Sequence, residues 1–189
     1  MDAVTVDPLK HLITVDEYEA MGASGIFPPD QRLELIEGEI IEMAPIGPPH
    51  ASTVARLNRL LVQAYGELAL VWVQNPVRLS DVSEPQPDLA VLRSRADFYG
   101  QRHPNPGEVM LAVEVADTTL RWDRSVKAPL YARSGVIELW VVDVNERTVE
   151  VCTSPGESGY SEVHTLGVDD EITVSGLDGV VIRVADFLG

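Results

Sequence analysis

Basic residues are scarce in this chain: 14 Lys and Arg stand against 30 Asp and Glu, a formal net charge of −16 at pH 7. Binding to a phosphate backbone relies on Lys and Arg to release counterions, so this balance taken alone argues against a nucleic-acid partner. The deficit is uneven, however. Arg183 is the only Lys or Arg between Glu150 and Gly189, whereas Arg121, Arg124, Lys127 and Arg133 stand close together in the middle of the chain. Cysteine is scarcer still. Cys152 is alone, which excludes an internal disulfide, and its Val-rich surroundings make it a small buried hydrophobe. Without disulfides, a reducing cytoplasm is the default compartment. Long apolar runs are missing too: none approaches the ~18 residues of a membrane span. The N-terminal MDAVTVDPLK has neither the basic start nor the apolar stretch of a secretory signal. These absences predict a soluble protein with no membrane partner. No glycine-rich phosphate loop, zinc-type spacing or nucleophile elbow occurs, and neither His103 nor His164 has ligand-like neighbours in the sequence.

What is present is an ordinary globular composition, with 45% hydrophobic residues over 189 positions. That length suits one large domain with a core that needs no covalent staples. Thr14 followed by Glu17 has the spacing of a capping box and predicts a short helix over Thr14–Met21. Two Gly and two Pro make Gly22–Asp30 a loop. RLELI and EIIEM flank Glu37-Gly38 as the arms of a hairpin, with Leu33 and Leu35 on one face. His50–Tyr65 is the clearest helix, because Val54, Leu57, Leu61 and Ala64 recur at three- and four-residue steps and Gly66 can end it.

Strands are expected at Leu70–Gln74, Val77–Leu79 and Asp88–Leu92. The run VMLAVEVA, Val109–Ala116, is almost wholly apolar, as a central strand covered on both faces must be. A helix over Asp123–Arg133, stopped by Gly135, and a strand over Ile137–Val142 follow. Thr148–Val184 reads as a polar β-meander, with turns at Pro155-Gly156, Gly159, Asp169-Asp170 and Asp178-Gly179. No linker interrupts the chain, so one α/β domain over residues 1–189 is expected.

Two carboxylates stand where a packed core does not want them. Glu114 lies inside VMLAVEVA, and a lone buried carboxylate costs several kcal/mol unless a cation, a hydrogen-bond network or a metal compensates it. Asp88 opens the strand DLAVL after Pro85-Gln86-Pro87, where an Asp can also simply accept N–H bonds in a turn. If the two strands are neighbours, these carboxylates converge, and two carboxylates with a backbone carbonyl and waters suit Mg²⁺ or Mn²⁺. Lys127 follows in the next helix. Its four-residue spacing from Asp123 allows a surface ion pair; turned inward, it would orient a water or stabilise a charged phosphate. Trp122, Tyr131 and Trp140 read as packing residues. A glycoside hydrolase with paired carboxylates lacks its sugar-binding aromatics here.

LELIEGEIIEMAP, then His50, PQPDLAV, AVEVADTT and DRSVKAPLYARSGVIELWVVD together resemble the Uma-two family of endonuclease-like domains, within the PD-(D/E)XK superfamily. The resemblance covers residues 12–153 and implies a restriction-endonuclease-like core there, a mixed central sheet flanked by helices, leaving 154–189 as a C-terminal β-extension of the same domain. It further implies that Asp88 and Glu114 bind metal with the carbonyl of Val115, and that Lys127 takes the lysine's role, since Ala116 occupies the usual lysine position. Glu34 matches a family glutamate that supplies a further carboxylate; by alternation alone it would be a solvent-facing strand residue. His50 matches an auxiliary histidine, with helix capping as its plainer role, and Glu37 shapes the hairpin turn. The activity so implied is Mg²⁺- or Mn²⁺-dependent hydrolysis of DNA by a homodimer. The competing expectation, which the net charge favours, is a catalytically inactive nuclease fold serving as an interaction or assembly module.

Overall fold

The computed structural model describes residues 10–28, 30–174, 176–177 and 179–189. Residues 1–9, Pro29 of the first loop and Asp178 of the expected Asp178-Gly179 turn lie outside them. Helix α1 (Val15–Ala23) begins as its capping box predicts, with Glu17 N–H donating to the Thr14 hydroxyl at 3.2 Å and Thr14 N–H donating to the Glu17 carboxylate at 2.8 Å. Strands β1 (Leu33–Ile36) and β2 (Glu39–Glu42) pair antiparallel across Glu37 and Gly38, whose φ values of 50° and 77° are the positive pair a two-residue hairpin turn needs. Gly38 meets a second demand: a Cβ there would lie 2.5 Å from that of Leu12. Leu35 and Glu84 exchange backbone hydrogen bonds of 3.3 and 2.7 Å, which ties the hairpin to the rest of the molecule.

Helix α2 (Pro48–Tyr65) starts two residues before the expected boundary, because Pro48 and Pro49 fit a first turn whose N–H groups have no helical partner. Six strands form the central sheet: β3 (Ala69–Val73), β4 (Leu89–Arg93), β5 (Val109–Ala116), β6 (Glu138–Asp143), β7 (Thr148–Gly156) and β8 (Gly159–Leu166), in that spatial order. Only β5 and β6 are parallel. Their crossover carries one unbroken helical stretch: α3 (Leu120–Trp122), a π-helical turn (Asp123–Lys127) and α4 (Ala128–Arg133). A small sheet of β9 (Glu171–Thr173) and β10 (Val181–Arg183) and the short α5 (Ala185–Leu188) close the chain.

Beyond shifts of one or two residues at element ends, the structure departs from the sequence-based expectations at Val77–Leu79, at Pro155-Gly156 and in the crossover helix. Val77–Leu79 is not a ladder strand: its N–H groups at 77 and 79 bond the carbonyls of Pro85 and Ser83, both at 2.9 Å, closing a local loop. Pro155-Gly156 is the end of β7 instead of a turn, with Gly156 paired to Gly159. The helix after β5 begins at Leu120 and contains the π turn, sealed by Ala128 N–H donating to the Asp123 carbonyl. Pro129 follows immediately; it has no N–H, its ring would crowd the preceding turn, and the widened turn accommodates it.

Alternation along the strands divides the interior in two. Leu111, Val113 and Val115 of β5 pack with Leu57, Leu61 and Tyr65 of α2 and with Phe187, while Ala112 faces the layer of Leu130, Tyr131 and Leu139. Leu57 is wholly buried in the first layer. Leu57→Ala is expected to destabilise the fold by roughly 3 kcal/mol, through lost transfer energy and the cavity left behind. Urea denaturation measures this, and a loss under ~1 kcal/mol would mean the α2 layer contributes little.

Candidate active site

The β4–β5 register converts two distant carboxylates into neighbours. Leu89 lies opposite Val113 in the antiparallel ladder, so one step outward Asp88 stands opposite Glu114, on the face that carries Ala90 and Ala112. The Val115 N–H, which a continuing ladder would use, donates instead to Asp88 Oδ2 at 2.9 Å. His50 Nε2, in the first turn of α2, lies 3.0 Å from the same oxygen, and the Gln74 amide donates to Oδ1 at 3.2 Å. Burial pushes the Asp88 carboxyl upward, but His50, the Val115 N–H and Gln74 together outweigh it and hold Asp88 below the usual carboxylate range.

Glu114 is in the opposite condition. Lys127 Nζ donates to its Oε1 at 3.1 Å and the Tyr131 hydroxyl at 2.8 Å. Burial nevertheless pushes its carboxyl well above the ordinary value, with Lys127 pulling the other way and Asp123, Asp88 and Glu34 adding to the rise. Lys127 reaches a second carboxylate, Glu34 Oε2, at 3.0 Å, and Gln86 N–H donates to that oxygen at 3.2 Å. Burial works against the lysine's charge, but Glu114, Glu34 and Asp123 prevail and raise its pKa, so the ammonium stays protonated.

A cavity of about 290 Å³ gathers all six sequence-chosen residues: Glu34, His50, Asp88, Glu114, Val115 and Lys127. Glu34 does not face solvent as simple alternation allowed; it is 2% exposed. Nor does Lys127 form the surface pair with Asp123, since both are buried. Asp123 is a further acid lining the cavity, its Oδ2 accepting the Thr119 hydroxyl at 2.7 Å, and burial raises its pKa. Tyr131 packs as expected yet also serves Glu114. It stands one helical turn from Lys127 on the same face, a spacing that could have disclosed it. Gln74 left no comparable signal, because its role comes from the end of β3 meeting Asp88.

These acids outnumber the cations that meet them. Asp88, Glu114, Glu34 and Asp123 share Lys127 and the imidazole of His50, and two of the four are pushed toward their neutral forms. Oxygen donors on adjacent strands, short of positive charge, fit a hard divalent cation. His50 Nδ1 is also buried with no partner among the described residues, leaving a polar atom beside the cavity for water.

Removing the ammonium should be costly in a pH-dependent way. In Lys127→Met, Glu114 loses the charge that opposes its upward shift, so its folded-state pKa rises further above the unfolded value of about 4.3. A carboxyl raised on folding makes stability fall as pH climbs above the unfolded value. The expected penalty is about 3 to 5 kcal/mol at a pH above the wild-type carboxyl's own raised pKa, where Glu114 is ionised only beside the lysine, and it shrinks at a pH below that pKa, where Glu114 is neutral in both proteins. Denaturation of both proteins at the two pH values measures it, and a penalty that does not change with pH would contradict this electrostatic account.

The comparisons with known proteins agree with this frame. No curated protein matches the chain. A solved crystal structure of "a putative nuclease belonging to DUF820" from Anabaena variabilis ATCC 29413 superposes with a TM-score of 0.72 at 16% identity, covering 93% of this chain and 97% of that one. At that identity the likeness concerns the fold, a mixed sheet flanked by helices. The family described as "Uma2: Putative restriction endonuclease" matches residues 15–185. With nearly the whole chain matched, this protein belongs to the Uma2 family.

Proposed function

We propose that this chain is a Mg²⁺- or Mn²⁺-dependent endonuclease that hydrolyses phosphodiester bonds of DNA. One observation carries the reading: Asp88, one residue before β4, accepts the Val115 N–H and lines one cavity with Glu114 of β5, beside a buried ammonium. Asp88, Glu114 and the Val115 carbonyl would hold the ion. When bound, such an ion lowers the pKa of water and neutralises charge developing on phosphate.

The side chains divide the remaining work. Asp88, ordered by three hydrogen-bond partners, is an ionised anchor. Both hydrogen bonds given to Glu114 land on Oε1, so Oε2 is the oxygen for the cation. Lys127, held protonated, cannot serve as the base; it orients the attacking water by donating to it and stabilises the crowded phosphate electrostatically. Glu34 fixes the Lys127 side chain from the opposite side, and His50 keeps Asp88 in place from α2. Two copies of the chain, paired as a homodimer in the cytoplasm, would present two such cavities to one duplex.

A specific observation favours the other reading, an inactive assembly module. The basic residues of the crossover are largely consumed internally: Arg124 pairs with Glu150 and Arg133 with Glu37, each at 2.8 Å. Arg32 still lines the cavity, but it stands against a net charge of −16. Submicromolar affinity for duplex DNA at physiological salt would exclude this second reading.

Incubation of purified protein with plasmid DNA and Mn²⁺ or Mg²⁺ tests the first. Nicking is expected, and Asp88→Ala and Glu114→Ala should each lower its rate about a hundredfold or more. Nicking that persists unchanged in both variants would come from somewhere else.

A further inference from the structure

Beyond the cavity already described, the fold assembles a second set of donors that the sequence keeps far apart. Glu19 lies on α1, Glu84 on the loop leading to Asp88, and His103 on the loop between β4 and β5. One ligand atom from each lies within 4.8 Å of the other two, and this is the one such group of three among the described residues. His103 Nδ1 is 2.7 Å from Glu84 Oε1 and 3.8 Å from Glu19 Oε1. The expectation that His103 lacks ligand-like neighbours is therefore corrected: its neighbours come from elements 19 and 84 residues away in sequence.

We propose that Glu19, Glu84 and His103 form a binding site for a divalent transition-metal ion of the Zn²⁺ class, separate from the Asp88 and Glu114 site. The donor chemistry supports it. One imidazole nitrogen and two carboxylate oxygens suit Zn²⁺ and its neighbours, whereas Mg²⁺ prefers oxygen alone and keeps its waters. Two carboxylates with a neutral imidazole balance the ion's charge.

The geometry needs only small movements. Ligands about 2.1 Å from a tetrahedral ion are about 3.4 Å apart, so the shorter contact must open by about 0.7 Å and the longer one close by about 0.4 Å, while the two carboxylates approach from within 4.8 Å. Glu84 is 2% exposed and fixed, its backbone bridged to Leu35, while Glu19 is half exposed and free to adjust. Glu19 and His103 also line a cavity of about 630 Å³ with Arg78, Tyr99 and Arg102, which leaves room for a water in the fourth position. The cations of that cavity that could oppose the ion are already engaged, Arg78 by Asp16 at 2.8 Å and Asp81 at 3.4 Å, and Arg102 by Glu108 at 2.7 Å.

A consequence follows from the placement. Glu84 is bridged to Leu35, next to Glu34, and stands four residues before Asp88. An ion here would clamp α1 and the His103 loop onto the segment that leads to Asp88, which is itself bridged to the strand carrying Glu34. The site is thus a stabilising clip, and it requires no nuclease activity.

The test uses the full chain, metal-free, titrated with Zn²⁺ in excess Mg²⁺ and followed by calorimetry, with Co²⁺ as a spectroscopic substitute. One equivalent of Zn²⁺ should bind and raise the melting temperature. Glu19→Gln, an exposed substitution that spares folding, and His103→Gln should each weaken Zn²⁺ about tenfold or more and abolish the thermal gain, while Asp88→Ala leaves both intact. No Zn²⁺ binding, binding unchanged in Glu19→Gln and His103→Gln, or binding lost only in Asp88→Ala would overturn the proposal. Because the readout is metal affinity under Mg²⁺, failure of the nuclease reading leaves this result untouched, and the reverse also holds.

Discussion

One ammonium shared between two buried carboxylates organises the acidic cavity. Lys127 Nζ sits 3.0 Å from Glu34 and 3.1 Å from Glu114, joining the N-terminal hairpin, the central strand and the crossover helix at a single point. None of the three side chains could be buried there alone, because each charge would cost several kcal/mol without its counterpart. The interaction therefore constrains where the hairpin docks and how the helix turns. It also leaves a deficit of positive charge, since Asp88 and Asp123 line the same space, and that deficit is the chemical ground for expecting a divalent ion.

Much of this frame was legible in the residues. The apolar run Val109–Ala116 and the interruption at Glu114 announced both a central strand and a carboxylate in need of a partner, and the strand has those bounds. The Thr14–Glu17 capping box and the Glu37-Gly38 turn gave local structure directly, because each depends on contacts within a few residues. What escaped was set by long-range geometry. Gln74 and Tyr131 join the site through strand ends and a helix face, and the inward rotation of Asp123 accompanies a π turn that no periodicity encodes. His103 looked isolated because its partners lie on other loops. Family resemblance supplied Glu34 and His50, which alternation or capping alone would have assigned elsewhere.

The charge of the molecule shapes how any substrate must approach. With the Arg124 and Arg133 side chains already paired, long-range attraction for a polyanion is weak, and recognition depends on short-range contacts around the cavity or on neutralisation by bound cations. If the cleft takes up cations from solution, as the proposed function holds, any affinity for DNA would depend on them. The same logic explains why Asp88 and Glu114 differ: the first is kept ionised by three donors, and the second is left short of them.

The most direct measurement is a crystal of the protein soaked in Mn²⁺, with the ion located by its anomalous scattering. The account predicts a peak bonded to Asp88 and Glu114 at about 2.1 to 2.2 Å, with Lys127 still in contact with Glu34. A well-soaked crystal with no ion between those two carboxylates, and Glu114 bonded only to Lys127 and Tyr131, would contradict it.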